Sequence, residues 1–313
     1  MLSVVVPVYN EEESLEKFYE ELLRVLPDLS KKYEIIFIDD GSTDNSLSIL
    51  KSLAKKNEHV RIFSFRQNLG KSEALTLGFM KAKGEYIVTL DADLQDKPTE
   101  IQKLLVRAEN GTDVVCGWRK DRKDSQNAVL SSKLFNAFAG MFWGLQLHDY
   151  NCGLKVYRKD AARSLYLYSG MHRFIPLLAY QQGFTVEEVA VDHAERKFGE
   201  SKYARGIIKI FQNLPDMFTM LFLAKYSKRP MHFFGVIGGT LFVVGFVIFS
   251  YLCIIWFMGE SIGTRPLLTL SILLILSGLQ TFLTGFLADL IINISHKEGN
   301  INSFPLKYTS DTQ

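Results

Sequence analysis

No charged residue stands between Phe233 and Phe257, or between Leu267 and Ala288. Each run meets the ~20 consecutive apolar residues that an α-helix needs to cross a bilayer. Two such runs in tandem, joined by the short segment Met258 to Arg265, argue against a single soluble domain and predict a pair of transmembrane helices. Lys225, Lys228 and Arg229 precede the first run, and His296 and Lys297 follow the second. By the positive-inside rule both ends face the cytoplasm, and with them the long N-terminal part of the chain. The expected localisation is a multi-pass protein of the cell membrane with a cytoplasmic domain. Gly235-x-x-x-Gly239 would let helices approach closely, so a homo-oligomer is one expectation.

Most of the charge lies in residues 1–230. A net charge of +2 gives no reason to propose nucleic acid as a partner. Cys116, Cys152 and Cys253 are far apart and form no C-x-x-C, which argues against a disulfide framework or a zinc site and fits a reducing compartment. No basic segment followed by an apolar run opens the chain, so no cleaved signal peptide is expected.

Strand and helix patterns alternate from the first residues. Strands are predicted at Leu2–Val8, Glu34–Asp39, Val60–Phe65, Tyr86–Leu90 and Val114–Trp118, with helices at Glu11–Leu26, Asp44–Lys56, Lys71–Ala82 and Thr99–Asn110. This alternation predicts an α/β fold with a mostly parallel sheet covered on both faces. Ligands of such sheets bind beyond the carboxyl ends of the strands, where Asp39, Asp40, Asp91 and Asp93 fall. Further on, Ser131 to Gly144 is predicted as an aromatic helix, and Tyr203 to Tyr226 as interfacial amphipathic helices.

Asp91-x-Asp93-x-Gln95 follows a buried strand, and residues two apart can point the same way. Their hard oxygen ligands suit Mg²⁺ or Mn²⁺ bridging a diphosphate. A nucleoside diphosphate leaving group gathers negative charge that such an ion stabilises. Cations suited to a second phosphate are Arg119, Arg122, Lys133 and the cluster His193-Ala-Glu-Arg196-Lys-Phe-Gly199-Glu-Ser201-Lys202-Tyr203. The simpler readings are turn and cap chemistry for Asp39 and Asp44, and helix N-terminal acids for two of Glu11, Glu12 and Glu13.

The segments Val4-Val-Val-Pro7-Val-Tyr9-Asn10-Glu11, Asp39-Asp40-Gly41-Ser42, Asn68-Leu-Gly70-Lys71 and Asp91-Ala-Asp93-Leu-Gln95 stand in one order along the chain. Together they resemble inverting family 2 glycosyltransferases, over about residues 1–295. The similarity is to polyprenyl-phosphate glycosyltransferases of the dolichyl-phosphate mannosyltransferase and bacterial bactoprenyl glucosyltransferase type. It implies a GT-A-type, Rossmann-like nucleotide-sugar domain over 1–202, interfacial helices over 203–230, two transmembrane helices over 231–296 and a tail over 297–313. It implies that Asp40 contacts the base, that Pro7, Tyr9 and Glu11 line the nucleoside pocket with Lys71 close by, and that Asp93 and Gln95 are metal ligands. Asp91 is then a ligand or a ribose contact. The cluster with Arg196, Ser201 and Lys202 matches the family's H-x-x-R-x-x-G-x-S-K-Y pattern. Asp149 opens Asp149-Tyr-Asn-Cys-Gly153-Leu154-Lys155, like the family's D-x-x-x-G-[FL]-[RK], and is the catalytic candidate beside the acceptor. With a phosphate nucleophile its role is orientation as readily as proton removal.

The implied reaction moves a hexose from a nucleotide sugar, UDP-glucose or UDP-N-acetylglucosamine favoured, to undecaprenyl phosphate for cell-envelope glycosylation. The alternatives are a noncatalytic membrane-anchored nucleotide-sugar-binding scaffold and a processive polysaccharide synthase. The latter would call for a Q-x-x-R-W motif, which the chain lacks, and for more spans.

Overall fold

Short β-branched and aromatic runs build a seven-stranded sheet: β1 (Leu2–Val8), β2 (Tyr33–Asp39), β3 (Val60–Ser64), β4 (Tyr86–Thr89), β5 (Val114–Arg119), β6 (Lys155–Arg158) and β7 (Val186–Val191). The computed structural model describes residues 1–120, 144–167, 170–194, 226, 229–263 and 265–298. Those up to 194 belong to one unit and those from 226 onward to another. In the first unit the strand order is β3-β2-β1-β4-β6-β5-β7. β1 pairs in parallel with β2 and β4, β2 with β3, and β5 with β7, while β6 runs antiparallel to both its neighbours. Val4, Val6, Ile35, Phe37 and Val88 are wholly buried, as expected where helices cover both faces of a sheet.

The covering helices are α1 (Leu15–Leu29), α2 (Ser46–Lys56), α3 (Lys71–Lys81), α4 (Ile101–Glu109), α5 (Lys159–Ser164) and α6 (Ile175–Gln181). The mostly parallel α/β architecture is the one expected, but two details differ. α1 begins at Leu15, so Glu11 to Glu13 precede it and are not its first turn. Glu12 instead accepts from the Asn45 N–H at 2.9 Å and its side-chain amide at 2.8 Å. β6 and β7 are additions to the expected strands; β6 enters the sheet between β4 and β5. The aromatic helix expected from Ser131, the interfacial helices expected from Tyr203 and the tail beyond Glu298 lie outside the described residues.

The second unit is a helical hairpin, α7 (Pro230–Phe257) and α8 (Pro266–Glu298). α7 has 28 residues, about 42 Å of helix at 1.5 Å per residue, against ~30 Å of bilayer hydrocarbon. Mean hydropathy reaches 2.4 in α7 and 1.9 over Pro266–Ile291. Val243, Phe246, Ile254 and Phe286 are exposed, unlike the side chains of a soluble core helix. Both helices are therefore long and apolar enough to cross a membrane. Their contact is set by glycines: a Cβ on Gly238 would lie 2.6 Å from the Phe282 nitrogen, and one on Gly278 would lie 2.5 Å from that of Phe242. The expected Gly235-x-x-x-Gly239 pair is not at this contact. Gly235 faces only Met231, and a Cβ on Gly239 would meet open space.

Candidate active site

β1 and β2 end side by side, with Val8 opposite Asp39. After β1 the backbone turns at Asn10, whose φ of 52° is in the left-handed region that Asn tolerates. The Asn10 side-chain oxygen accepts from the Thr43 N–H at 2.8 Å, and the Asn10 and Glu11 N–H groups donate to the Ser42 and Ser46 hydroxyls at 3.0 and 2.9 Å. The loops after β1 and β2 are thus tied together, which holds Pro7, Tyr9 and Glu11 half-buried at the end of β1. Asp39 accepts from the Ser42 N–H at 3.1 Å and the Ser64 hydroxyl at 2.6 Å, a turn role.

Asp40 points at the segment that opens α3. Its carboxylate accepts from the N–H groups of Leu69 at 2.8 Å and Gly70 at 3.0 Å, and from the Asn68 side-chain amide at 3.1 Å. Burial pushes its pKa up, aided by the Glu73 and Asp39 carboxylates, while the N–H bonds oppose the rise. In this state Asp40 shapes the loop that delivers Lys71. Gly41 completes the joint: its φ is 69°, and a Cβ there would lie 2.4 Å from the Gln67 carbonyl carbon, so only glycine fits.

The loop after β4 carries four polar side chains, Asp91, Asp93, Gln95 and Asp96. It reverses at Leu94, a non-glycine residue with φ 61° and so a site of local strain. The Gln95 N–H donates to Asp93 at 3.2 Å, and Asp93 is buried. Lys71 donates to Asp91 at 2.5 Å. Burial would raise the Asp91 pKa, but the charge and hydrogen bond of Lys71 outweigh it and hold the carboxyl below its usual range. The donor set is oxygen throughout, which fits Mg²⁺ or Mn²⁺. Among the described residues no three His, Cys, Asp or Glu side chains are arranged to hold a metal ion. Two carboxylates and an amide, Asp91, Asp93 and Gln95, would hold such an ion here, and it would supply positive charge at this strand end.

Asp96 is a third acid of this loop, one that the sequence pattern did not single out. It is buried, its closest side-chain partner is the Cys152 thiol at 3.9 Å, and its backbone bridges to His193. Burial first, and then the Asp91 charge, push its pKa up to about 7. An acid whose pKa is higher folded than unfolded loses stability as pH rises through the interval between the two values. Asp96→Asn should therefore gain on the wild type between pH 5 and pH 8, by on the order of 2–3 kcal/mol. Thermal melts of the metal-free protein with chelator present read this directly. A gap that does not widen with pH would refute it.

At the end of β5, Arg119 holds Asp149 through two bonds, Nε to Oδ2 at 2.6 Å and Nη2 to Oδ1 at 3.1 Å. The side chains are 11% and 2% exposed, so this is a buried, bidentate pair. Asp149 also accepts from the Asn151 N–H at 3.1 Å. Lys155, the first residue of β6, is buried and donates to the Cys152 carbonyl. Lys71, Asp91, Asn151, Lys155 and His172 line a narrow common cleft of about 10 Å³. His172 shares a 3.0 Å hydrogen bond with the Ser72 hydroxyl, and burial together with the Lys71 charge holds its pKa well below the usual value. After β7 the chain returns to the loop that follows β4, where the Ala194 N–H donates to the Gln95 carbonyl at 2.9 Å. The structure thus brings Lys71, Asp91, Asp93 and Gln95 to one strand end, with the Arg119–Asp149 pair at the end of β5. Arg122, Lys133, Arg196, Ser201 and Lys202 lie outside the described residues.

Residues 3–166 match the family model described as glycosyl transferase family 2. The chain belongs to glycosyltransferase family 2. Among curated relatives, a dodecaprenyl-phosphate galacturonate synthase of Rhizobium johnstonii is 35% identical over 320 residues, covering 100% of this chain and 94% of its own. An undecaprenyl-phosphate 4-deoxy-4-formamido-L-arabinose transferase of Proteus mirabilis is 36% identical over 293 residues, covering 93% of this chain and 88% of its own. Among solved structures, glucosyl-3-phosphoglycerate synthase from Mycobacterium tuberculosis, in complex with Mn²⁺ and UDP-glucose, superposes with a TM-score of 0.53 at 19% identity, over 72% of this chain and 78% of that one. That likeness fixes the GT-A fold of this glycosyltransferase. The protein is an enzyme of the nucleotide-sugar-dependent transferase class.

Proposed function

We propose that this glycosyltransferase moves one sugar from a nucleotide sugar to a polyprenyl phosphate, with inversion at the anomeric carbon. The observation that carries the reading is the Arg119–Asp149 pair. A hydroxyl acceptor needs a base to take its proton. Asp149 is the base candidate, and its two oxygens are committed to a guanidinium. A carboxylate so held is a poor proton acceptor. The anionic oxygen of a lipid phosphate needs no base, so a site that only positions and neutralises is sufficient for it. The phosphate oxygen attacks the anomeric carbon, and the nucleoside diphosphate leaves from the opposite face of the sugar.

Pro7, Tyr9 and Glu11 are assigned to the nucleoside, and Asp40 to its loop and the base edge. Asp93 and Gln95, with Asp91, would hold Mg²⁺ or Mn²⁺, which when bound supplies positive charge for the departing diphosphate. Arg119 and Asp149 position the acceptor side. By family resemblance Arg196, Ser201 and Lys202 hold the acceptor phosphate, and Lys133 is a further cation suited to it. α7 and α8 anchor the enzyme in the cell membrane with its catalytic domain on the cytoplasmic side, beside the lipid phosphate.

The sequence favours UDP-glucose or UDP-N-acetylglucosamine as donor, whereas the relatives' names carry galacturonate and 4-deoxy-4-formamido-L-arabinose. The test is to supply all four as uridine nucleotides, in turn, to the full chain with undecaprenyl phosphate, and to identify the lipid product by mass spectrometry. One donor should yield a lipid heavier by one sugar. No sugar-bearing lipid from any donor, while nucleotide binding is measurable, would defeat the reading.

A further inference from the structure

Lys71 and Asp91 form the most exchangeable ion pair of the site. Lys71 is the first residue of α3, held in place by the Asp40 carboxylate on the preceding Leu69 and Gly70 N–H groups. Its ammonium sits 2.5 Å from one Asp91 oxygen. The other Asp91 oxygen lies within 2.7 Å of where a Cβ on Gly153 would be. The ammonium thus holds one oxygen, and the other faces the side of Gly153 that carries no side chain. The two side chains are 27% and 33% exposed, which separates the pair from the buried Arg119–Asp149 lock. A pair with this much solvent access exchanges partners more readily than the buried lock does.

We infer that Lys71 acts as a stand-in cation that keeps the metal from binding until the nucleotide arrives. In the free enzyme a divalent ion has to displace the ammonium to reach Asp91. A nucleoside diphosphate offers Lys71 a better partner, two phosphate groups of like charge to the one carboxylate. Lys71 moves onto it, Asp91 is released, and the ion is taken up between Asp91, Asp93 and the diphosphate. Nucleotide and metal therefore bind with positive coupling, each raising the affinity of the other by the same factor. Lys71 is a positioning residue in this scheme: it acts on the ion through Asp91.

The inference rests on the reading that Asp91 and Asp93 hold the metal, and it is tested without any transfer reaction. Free Mn²⁺ is measured by electron paramagnetic resonance during titration of the full chain in detergent, with and without UDP. For the wild type, UDP should tighten Mn²⁺ binding by about tenfold. In Lys71→Met, Mn²⁺ alone should bind about tenfold tighter than to the wild type, and UDP should tighten it by a smaller factor than in the wild type. Lys71→Arg, which keeps the pair, should behave as the wild type. Equal Mn²⁺ affinity of the wild type with and without UDP would overturn the inference, as would a Lys71→Met protein that binds Mn²⁺ no better than the wild type. Adding Asp93→Ala to Lys71→Met should abolish the gain. Persistence of that gain would place the ion elsewhere and overturn it too. None of these outcomes depends on the lipid acceptor, so a failed transfer reaction leaves them readable.

Discussion

Arg119→Met is expected to cost about 3–5 kcal/mol of stability, a fall of about 10 °C in melting temperature for a domain of this size. The reason is the environment of Asp149. Its side chain is 2% exposed, and it faces a guanidinium at 2.6 and 3.1 Å. Burial alone would make Arg119 easier to deprotonate, but the hydrogen bond and charge of Asp149 reverse this, so the pair is ionic. Removing the guanidinium strands a carboxylate that was buried as part of that pair. The double variant Arg119→Met/Asp149→Asn should recover most of the lost stability, because no charge is then stranded, yet remain inactive. Melting curves of the two proteins, together with transfer assays, separate the two contributions. If the double variant regains activity, the pair is scaffolding and has no part in placing the acceptor.

Gly153→Ala is expected to lower transfer by about 100-fold while the protein melts close to the wild type. Gly153 has an ordinary negative-side backbone, so alanine introduces no strain there. Its added methyl carbon would lie 2.7 Å from one oxygen of Asp91 and 2.7 Å from one of Asp96. These are the far ends of short side chains, which can swing away without moving the sheet. The change therefore displaces the carboxylates beside the proposed diphosphate site and leaves the core alone. A side-chain shift of about 1 Å is enough for a loss of this size. An active Gly153→Ala enzyme would show that Asp91 has latitude at this position and that its placement is not limiting.

The first five strands and four helices were legible because each is a local signal. Val4 to Val8 and Ile35 to Ile38 are short apolar runs that end in turn residues, and a parallel sheet buries such runs on both faces. β6 and β7 carry no such signal. Lys155-Val-Tyr-Arg158 is flanked by cations, and Val186-Glu-Glu-Val-Ala-Val191 breaks its alternation with a pair of acids. What makes them strands is pairing with distant partners, β4 and β5 for the former and β5 for the latter. The site divides in the same way. Asp91, Asp93, Gln95 and Asp40 are recognisable because they follow strands at short spacing. Asp96 follows Gln95 as an ordinary turn acid, and only the approach of Cys152 and Gly153 from the segment before β6 buries it. The Arg119–Asp149 pair spans 30 positions and joins a strand end to a loop, a contact no periodicity reports. The helix start at Glu11 was misplaced because the acids there bond to residues 42–46 of the next loop, an interaction as distant as the rest.

The measurement that bears most directly on the account compares acceptors. The full chain in lipid nanodiscs is given its radiolabelled nucleotide sugar with undecaprenyl phosphate or with undecaprenol, and butanol-extractable label is counted for the wild type and for Asp93→Ala. A site whose Asp149 is held by Arg119, and which relies on an ionised nucleophile, should label the phosphate-bearing lipid alone, with label lost in Asp93→Ala and on chelation of divalent ions. Label in undecaprenol, or undiminished label in Asp93→Ala, would contradict it.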